Sequence, residues 1–191
     1  PIPEDKLKTW ERSNHVASAG SYFVHRAVAH YYFGEHDEAE ACLARVRTYL
    51  HGLTDNVLKR QWYVFQVLNA LKLHETELGV THEAALFMKI RPIIKKVETW
   101  AELGPLLKPY LSLLYAELAR VTGDFKEARG LFLDAIDIAH GQNYTFLEGH
   151  LNECLAELLL NAGQRSVGIY FVEAARLYRK CHAGRKEISL V

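Results

Sequence analysis

The chain of 191 residues carries 23 Lys and Arg against 23 Asp and Glu, so its formal net charge is zero. It therefore has no overall basic field to attract nucleic acid or an anionic membrane, and charge-driven partners of either kind are not expected. Close to half of the residues, 49%, are apolar, which is enough to bury a substantial core in one domain or one short solenoid.

In chain order, apolar residues recurring near the 3.6-residue period predict eight helices in four pairs. The first pair covers residues 13–33 and 36–51. The second covers 54–77, entered through a Thr54-Asp55-Asn56 cap signal, and 81–103, with Thr81 as N-cap and Pro92 as a kink. The third covers 105–122 and 124–140. The fourth covers 145–162 and 165–182, with Gly184 as the stop. The corresponding units are about 13–51, 54–103, 105–142 and 144–184. No sustained period-two alternation and no Asn-Gly or Asp-Gly turn points to a strand.

The corners inside the pairs repeat. Gly34, Gly79, Gly123 and Gly163 lie 45, 44 and 40 residues apart, and each is followed five residues later by a tiny side chain: Ala39, Ala84, Ala128 and Gly168. Nine residues after each glycine comes an apolar side chain, Leu43, Met88, Phe132 or Val172. Seven before it the residue is Ala27, Lys72, Ala116 or Ala156. A glycine tolerates the positive φ of a tight corner, and small side chains let two helices approach closely. One pair cannot bury its own apolar face, so pairs must stack, and the expected fold is an all-α, right-handed solenoid of about four antiparallel hairpins.

The third unit, with Ala116, then Gly123-Asp124-Phe125, Ala128, Phe132 and Ala135, resembles a tetratricopeptide repeat. Units of 40 to 45 residues exceed the ~34 of the standard repeat, which implies longer helices. From about His30 to Leu190 the chain is also similar to the helical-repeat region of very large signalling proteins. There a Ser/Thr-kinase-like domain and a signal-transduction ATPase precede the repeats, and GAF and histidine-kinase domains follow. The residues that carry this are Trp62-Tyr63-Val64-Phe65 with Leu68 and Leu71, Thr99-Trp100-Ala101, Ala116-Glu117-Leu118-Ala119-Arg120 and Asp134-Ala135-Ile136-Asp137-Ile138-Ala139, in that order. Leu155-Ala156-Glu157-Leu158, Glu173-Ala174-Ala175-Arg176-Leu177-Tyr178 and His182-Ala183-Gly184-Arg185-Lys186 complete the series. Where that family has an aromatic-Gly-Ala triplet, this chain reads Cys181-His182-Ala183-Gly184. The resemblance implies a relay or sensor segment without catalysis of its own, whose parent carries the kinase or ATPase domains.

Ten histidines invite a metal hypothesis, yet the sequence has no His-Glu-x-x-His, no Cys-x-x-Cys and no Gly-rich phosphate loop. His74, Glu75, His82 and Glu83 straddle the Gly79 corner and read as solvated corner residues, so no metal and no cofactor is expected. His150, Glu153 and Glu157 are spaced i, i+3, i+7 and share one helix face. They read as a polar, ligand-contacting stripe, and an enzyme acting through them is the third-ranked alternative, because the reversed Glu-x-x-His order has no second copy.

In tetratricopeptide-like arrays the first helix of each pair lines the concave surface. Counting back from each glycine puts His150, Glu153, Glu157 and Leu160 in register with Tyr110, Leu113, Glu117 and Arg120, and with Gln66, Asn69, Leu73 and Thr76. In the first unit the equivalents are Ser21, Val24, Val28 and Tyr31. The candidate binding residues are therefore Gln66, Asn69, Tyr110, Glu117, Arg120, His150, Glu153 and Glu157. Glu117 and Arg120 read equally well as an ion pair. Tyr22, Phe23, Tyr31, Tyr32 and Phe33 read as core.

No signal peptide opens the sequence and no apolar run nears the ~20 residues of a membrane span, which predicts a cytoplasmic protein. Cys42, Cys154 and Cys181 are odd in number and far apart, as suits reduced, buried thiols. The missing initiator Met and the ending at Ile188-Ser189-Leu190-Val191 predict a piece of a longer polypeptide. The leading expectation is a protein-interaction and signal-relay module that binds a peptide, a partner domain or a neighbouring domain, with no nucleic acid or membrane. The alternative is a small-molecule or peptide sensor of a solenoid-regulated transcription activator.

Overall fold

The computed structural model describes residues 9–10, 15–53, 57–76, 80–165 and 167–188, excluding the side chains of 75–76, 80–83 and 188. The chain is all-helical, and no strand occurs among the described residues. The α-helices are α1 (Val16–Tyr32), α2 (His36–Tyr49), α3 (Val57–Thr76), α4 (Val80–Glu102), α5 (Lys108–Val121), α6 (Phe125–Gly141), α7 (Thr145–Asn161), α8 (Gly168–Lys180) and α9 (Gly184–Ile188). A 3-10 turn at Pro105–Leu107 leads into α5. The chain divides within α4, after Val97, into two compact units.

In the first unit α1 packs along α2, and α3 packs on both. Its core holds Phe23, Val24, Ala27, Tyr31, Leu43, Val46, Phe65 and Leu68. Tyr31 and Tyr32 both meet the Phe65 ring edge-on, at 5.2 and 5.5 Å between centroids, and the Trp62 indole N–H donates to the Leu43 carbonyl at 2.9 Å. Phe23, Tyr31 and Tyr32 are thus core, as their spacing predicts. Tyr22 is half-buried and Phe33 exposed.

In the second unit α5 packs along α6, α6 along α7, α7 along α8, and α9 on α8. Twelve residues of α7 are buried, from Leu147 to Leu159, so it is enclosed on almost every side over its first three turns. Gly149 permits this. A Cβ there would lie 3.1 Å from the Tyr178 ring and 3.3 Å from Leu177 Cβ.

Five of the corners obey one rule, and it is broader than the glycine pattern. Gly34, Gly123 and Gly163 have φ of 73, 80 and 69°, and Asn143 and His182 adopt the same left-handed conformation at 59 and 57°. At each of the five, the next residue's N–H reaches back five residues to close the helix: Glu35 to His30, Asp124 to Ala119, Tyr144 to Ala139, Gln164 to Leu159 and Ala183 to Tyr178. After Gly123 the Asp124 carboxylate caps α6 by accepting the Glu127 N–H at 2.9 Å. Gly79 and the Thr54-Asp55-Asn56 signal lie outside the described residues.

Several expectations need correction. Gly184 does not stop the fourth pair; His182 does, and Gly184 opens α9. Thr81 is not an N-cap, since α4 already includes Val80. The residues nine past the corner are buried in two units, Leu43 and Phe132, but Met88 and Val172 are 74% and 70% exposed. Ala84 and Gly168 are exposed as well, and a Cβ on Gly168 would meet nothing, so neither marks a close helix contact.

The reason in the fourth unit is the length of its corner. Helices α2 and α6 begin two residues past their glycines, whereas α8 begins five past Gly163. The buried set slides to Val167, Ala174, Leu177 and Tyr178, which turns Val172 outward.

Candidate functional site

His150, Glu153, Glu157 and Leu160 do share one face of α7, but the two ends of that face have different surroundings. His150 and Glu153 are buried, while Glu157 and Leu160 are exposed. The covering groups come from α8 and α9. Tyr178 O–H donates to Glu153 Oε2 at 2.5 Å, and Lys186 Nζ donates to Oε1 at 2.7 Å. His150 Nδ1 lies 3.4 Å from the same Oε2, and Cys154 Sγ lies 3.5 Å from His150 Nε2.

The Lys186 ammonium also sits over the Tyr178 ring, 5.6 Å from its centre. Burial pushes the Glu153 carboxyl upward in pKa. The hydrogen bond and charge of His150, with the bonds from Lys186 and Tyr178, overcome this and hold it at about 2. Glu153 is therefore an ionised carboxylate with three donors, locked into the packing of three helices. Such a group is poorly placed to accept a proton from a substrate, because its acidity is far from neutral and its lone pairs are already in use.

A second polar node stands beside it. His140 Nδ1 lies 2.9 Å from Glu148 Oε1, and the Asn152 side-chain amide donates to the Glu148 carbonyl at 2.8 Å, which ties the end of α6 to the start of α7. On the outside of α8, Arg176 forks onto Glu173 and Arg179 onto Glu187 of α9.

The remaining candidates separate by burial. Asn69 is fully buried: its amide donates to the His36 carbonyl at 3.0 Å and its Oδ1 lies 3.1 Å from His36 Nδ1, joining α3 to α2. Glu117 is fully buried and paired with half-buried Arg120, whose Nε donates to it at 2.8 Å, so the ion-pair reading describes their geometry. Gln66 and Tyr110 are half-buried. The buried Gln66 amide nitrogen has no hydrogen-bond partner among the described residues. Of the eight, Glu157 alone is exposed.

Sequence reasoning did not find Tyr178 and Lys186 as partners of Glu153, although a tyrosine on an inward face needs a partner for its hydroxyl. Their separations of 25 and 33 residues lie beyond any single-helix pattern.

Among the described residues no group of three or more His, Cys, Asp or Glu is placed to hold a metal ion. Glu75, His82 and Glu83 have side chains outside the described set. His74 instead lines a groove of about 330 Å³ in the first unit, between α2, α3 and α4, with Glu40, Ala70, Leu73, Ala85, Leu86 and Lys89. Cys42 and Cys154 are buried and Cys181 half-buried, all three as free thiols, and burial pushes the Cys42 and Cys181 thiols up. No helix among the described residues is long and apolar enough to cross a membrane. No protein-family model and no curated protein matches the chain.

Proposed function

We propose that this chain is a non-catalytic helical-repeat module for protein interaction and signal relay, cytoplasmic, in which tetratricopeptide-like hairpins stack as a right-handed solenoid and offer a stripe of first-helix residues to a partner polypeptide. One observation carries this reading: the face of α7 is buried at His150 and Glu153 and exposed at Glu157 and Leu160. A stripe covered by its own chain at one end and open at the other fits a docking surface better than a reaction centre. The repeated left-handed corner at Gly34, Gly123, Asn143, Gly163 and His182 supports the stacking.

The test is site-specific photo-crosslinking in the full-length protein. A photoreactive residue at Glu157 or Leu160, both exposed on α7, is expected to give discrete adducts with a partner or neighbouring domain, whereas one at Asp137, exposed on α6, gives none. Absence of adducts from both α7 positions, or equal adducts from Asp137, contradicts the reading.

A second reading, a small-molecule or peptide sensor, is favoured by the groove of about 330 Å³ in the first unit, whose apolar floor is flanked by Glu40, His74 and Lys89. A ligand selecting the native state raises apparent stability. A thermal-shift series in which Leu73→Arg abolishes every stabilising hit supports it, and a series without hits counts against it.

A further inference from the structure

Three helices build the groove of the first unit. Helix α2 supplies Glu40, α3 supplies Ala70, Leu73 and His74, and α4 supplies Ala85 and Lys89. Ala70 and Ala85 end at Cβ, so the space that a longer side chain would take at either position belongs to the groove. Its volume of about 330 Å³ lies at the small end of ligand sites, which run from about 300 to 1,000 Å³.

The charged groups around this apolar lining are not taken up by the fold. Among the described residues the Glu40 carboxylate has one partner, the Asn69 side-chain amide at 3.4 Å, while His74 and Lys89 have no hydrogen-bond or ion-pair partner. The same amide also donates to the His36 carbonyl at 3.0 Å, and Asn69 is fully buried, so its position is fixed. Glu40 is thus a half-buried carboxylate steadied from one side, with lone pairs left for further donors. Glu40 and Lys89 both line the groove, yet they do not pair with each other.

From this arrangement we infer that the groove binds a short apolar peptide with free ends, its N-terminal ammonium on Glu40, its C-terminal carboxylate on Lys89 and its side chains on Ala70, Leu73 and Ala85. The inference rests on the sensor reading above and names the ligand's class. A free α-amino acid carries both charges on one carbon, which suits a Glu and a Lys close enough to pair, and these two do not. A peptide of roughly two or three residues separates its ends by about 3.3–3.6 Å per residue, and its bulk suits the volume. An uncharged apolar ligand would leave both the carboxylate and the ammonium uncompensated.

The test is isothermal titration calorimetry of the whole chain with trileucine, beside its N-acetylated form, its C-terminal amide and free leucine. Trileucine is expected to bind, and free leucine is not. Acetylation and amidation are each expected to weaken binding by about tenfold or more, because each removes a hydrogen bond between charged groups. Glu40→Gln can still accept from Asn69, and it is expected to abolish the difference between the acetylated and free peptides. Lys89→Met is expected to abolish the difference between the amide and the free acid. Ala85→Phe, at an exposed position, fills the groove and is expected to remove binding with Tm unchanged.

No binding of trileucine, equal binding of its blocked forms, free leucine binding as tightly, or binding that survives Ala85→Phe overturns the inference. Stabilising hits from other ligands that Leu73→Arg abolishes would then still uphold the sensor reading, so the two fail separately.

Discussion

Lys186 and Glu153 stand 33 residues apart in sequence and 2.7 Å apart in space, Nζ to Oε1, both buried. This contact fixes the short helix α9 against α7. It also decides which end of the α7 stripe is closed.

Removing one partner of a buried pair leaves the other charge uncompensated, so Lys186→Met is expected to cost about 3 kcal/mol by urea denaturation. Amide exchange should accelerate in α9 before it does in α7. The double change Lys186→Met with Glu153→Gln is expected to cost less than the two singles together, because the penalties share one interaction. Strict additivity would show that the pair does not hold α9.

The acid limb of stability follows from the same carboxylate. Glu153 is held at about 2 in the fold, below the ordinary value of a glutamate. A lowered carboxylate favours the native state when ionised, so its contribution is complete above about pH 4.5 and disappears as pH falls towards ~2. The difference in denaturation midpoint between the native sequence and Glu153→Gln is expected to be constant from about pH 7 to pH 5 and to shrink over the next two to three pH units. A difference that stays constant down to about pH 2 would contradict the assignment.

Tyr115 provides the alkaline counterpart. Burial, then its hydrogen bond to Glu98 and the charge on that carboxylate, push its phenol up to about 12. A raised phenol favours the fold while neutral, so its contribution is complete below about pH 10 and is lost as pH rises towards ~12. Spectrophotometric titration should find one tyrosine that ionises late, and Glu98→Gln should bring it down.

The corners predict opposite signs for two substitutions. Gly123 has φ 80° and open space around its Cβ position, so Gly123→Ala carries only the backbone penalty, about 1 kcal/mol. His182 holds φ 57° with a side chain, so His182→Gly is expected to be neutral or stabilising by roughly 0.5 kcal/mol. Thermal unfolding of the two variants checks the contrast. Gly149→Ala differs from both, because its Cβ meets Tyr178 at 3.1 Å, and overpacking there is expected to cost about 1–3 kcal/mol.

What the sequence made legible was local. Helix periodicity placed the helices within a few residues, and Gly34, Gly123 and Gly163 marked true left-handed corners, because glycine announces that conformation. Asn143 and His182 adopt it without announcing it. The outward turn of Val172 was hidden because alignment on Gly163 assumes a corner of constant length, and this one is longer. The face shared by His150, Glu153 and Glu157 was also readable from spacing. Its division was not, because the cover comes from Tyr178 and Lys186, and no helical periodicity links residues so far apart.

On the proposed reading the two halves of that face separate stability from binding. Glu153 and Glu157 are one turn apart, the first buried, the second exposed. The most direct measurement is the yield of partner crosslinks from a photoreactive residue at Leu160 in full-length protein carrying Glu157→Lys, with its Tm recorded beside it. The account predicts loss of the crosslinks at unchanged Tm. Crosslinks that persist in Glu157→Lys and vanish only in variants that unfold would contradict it.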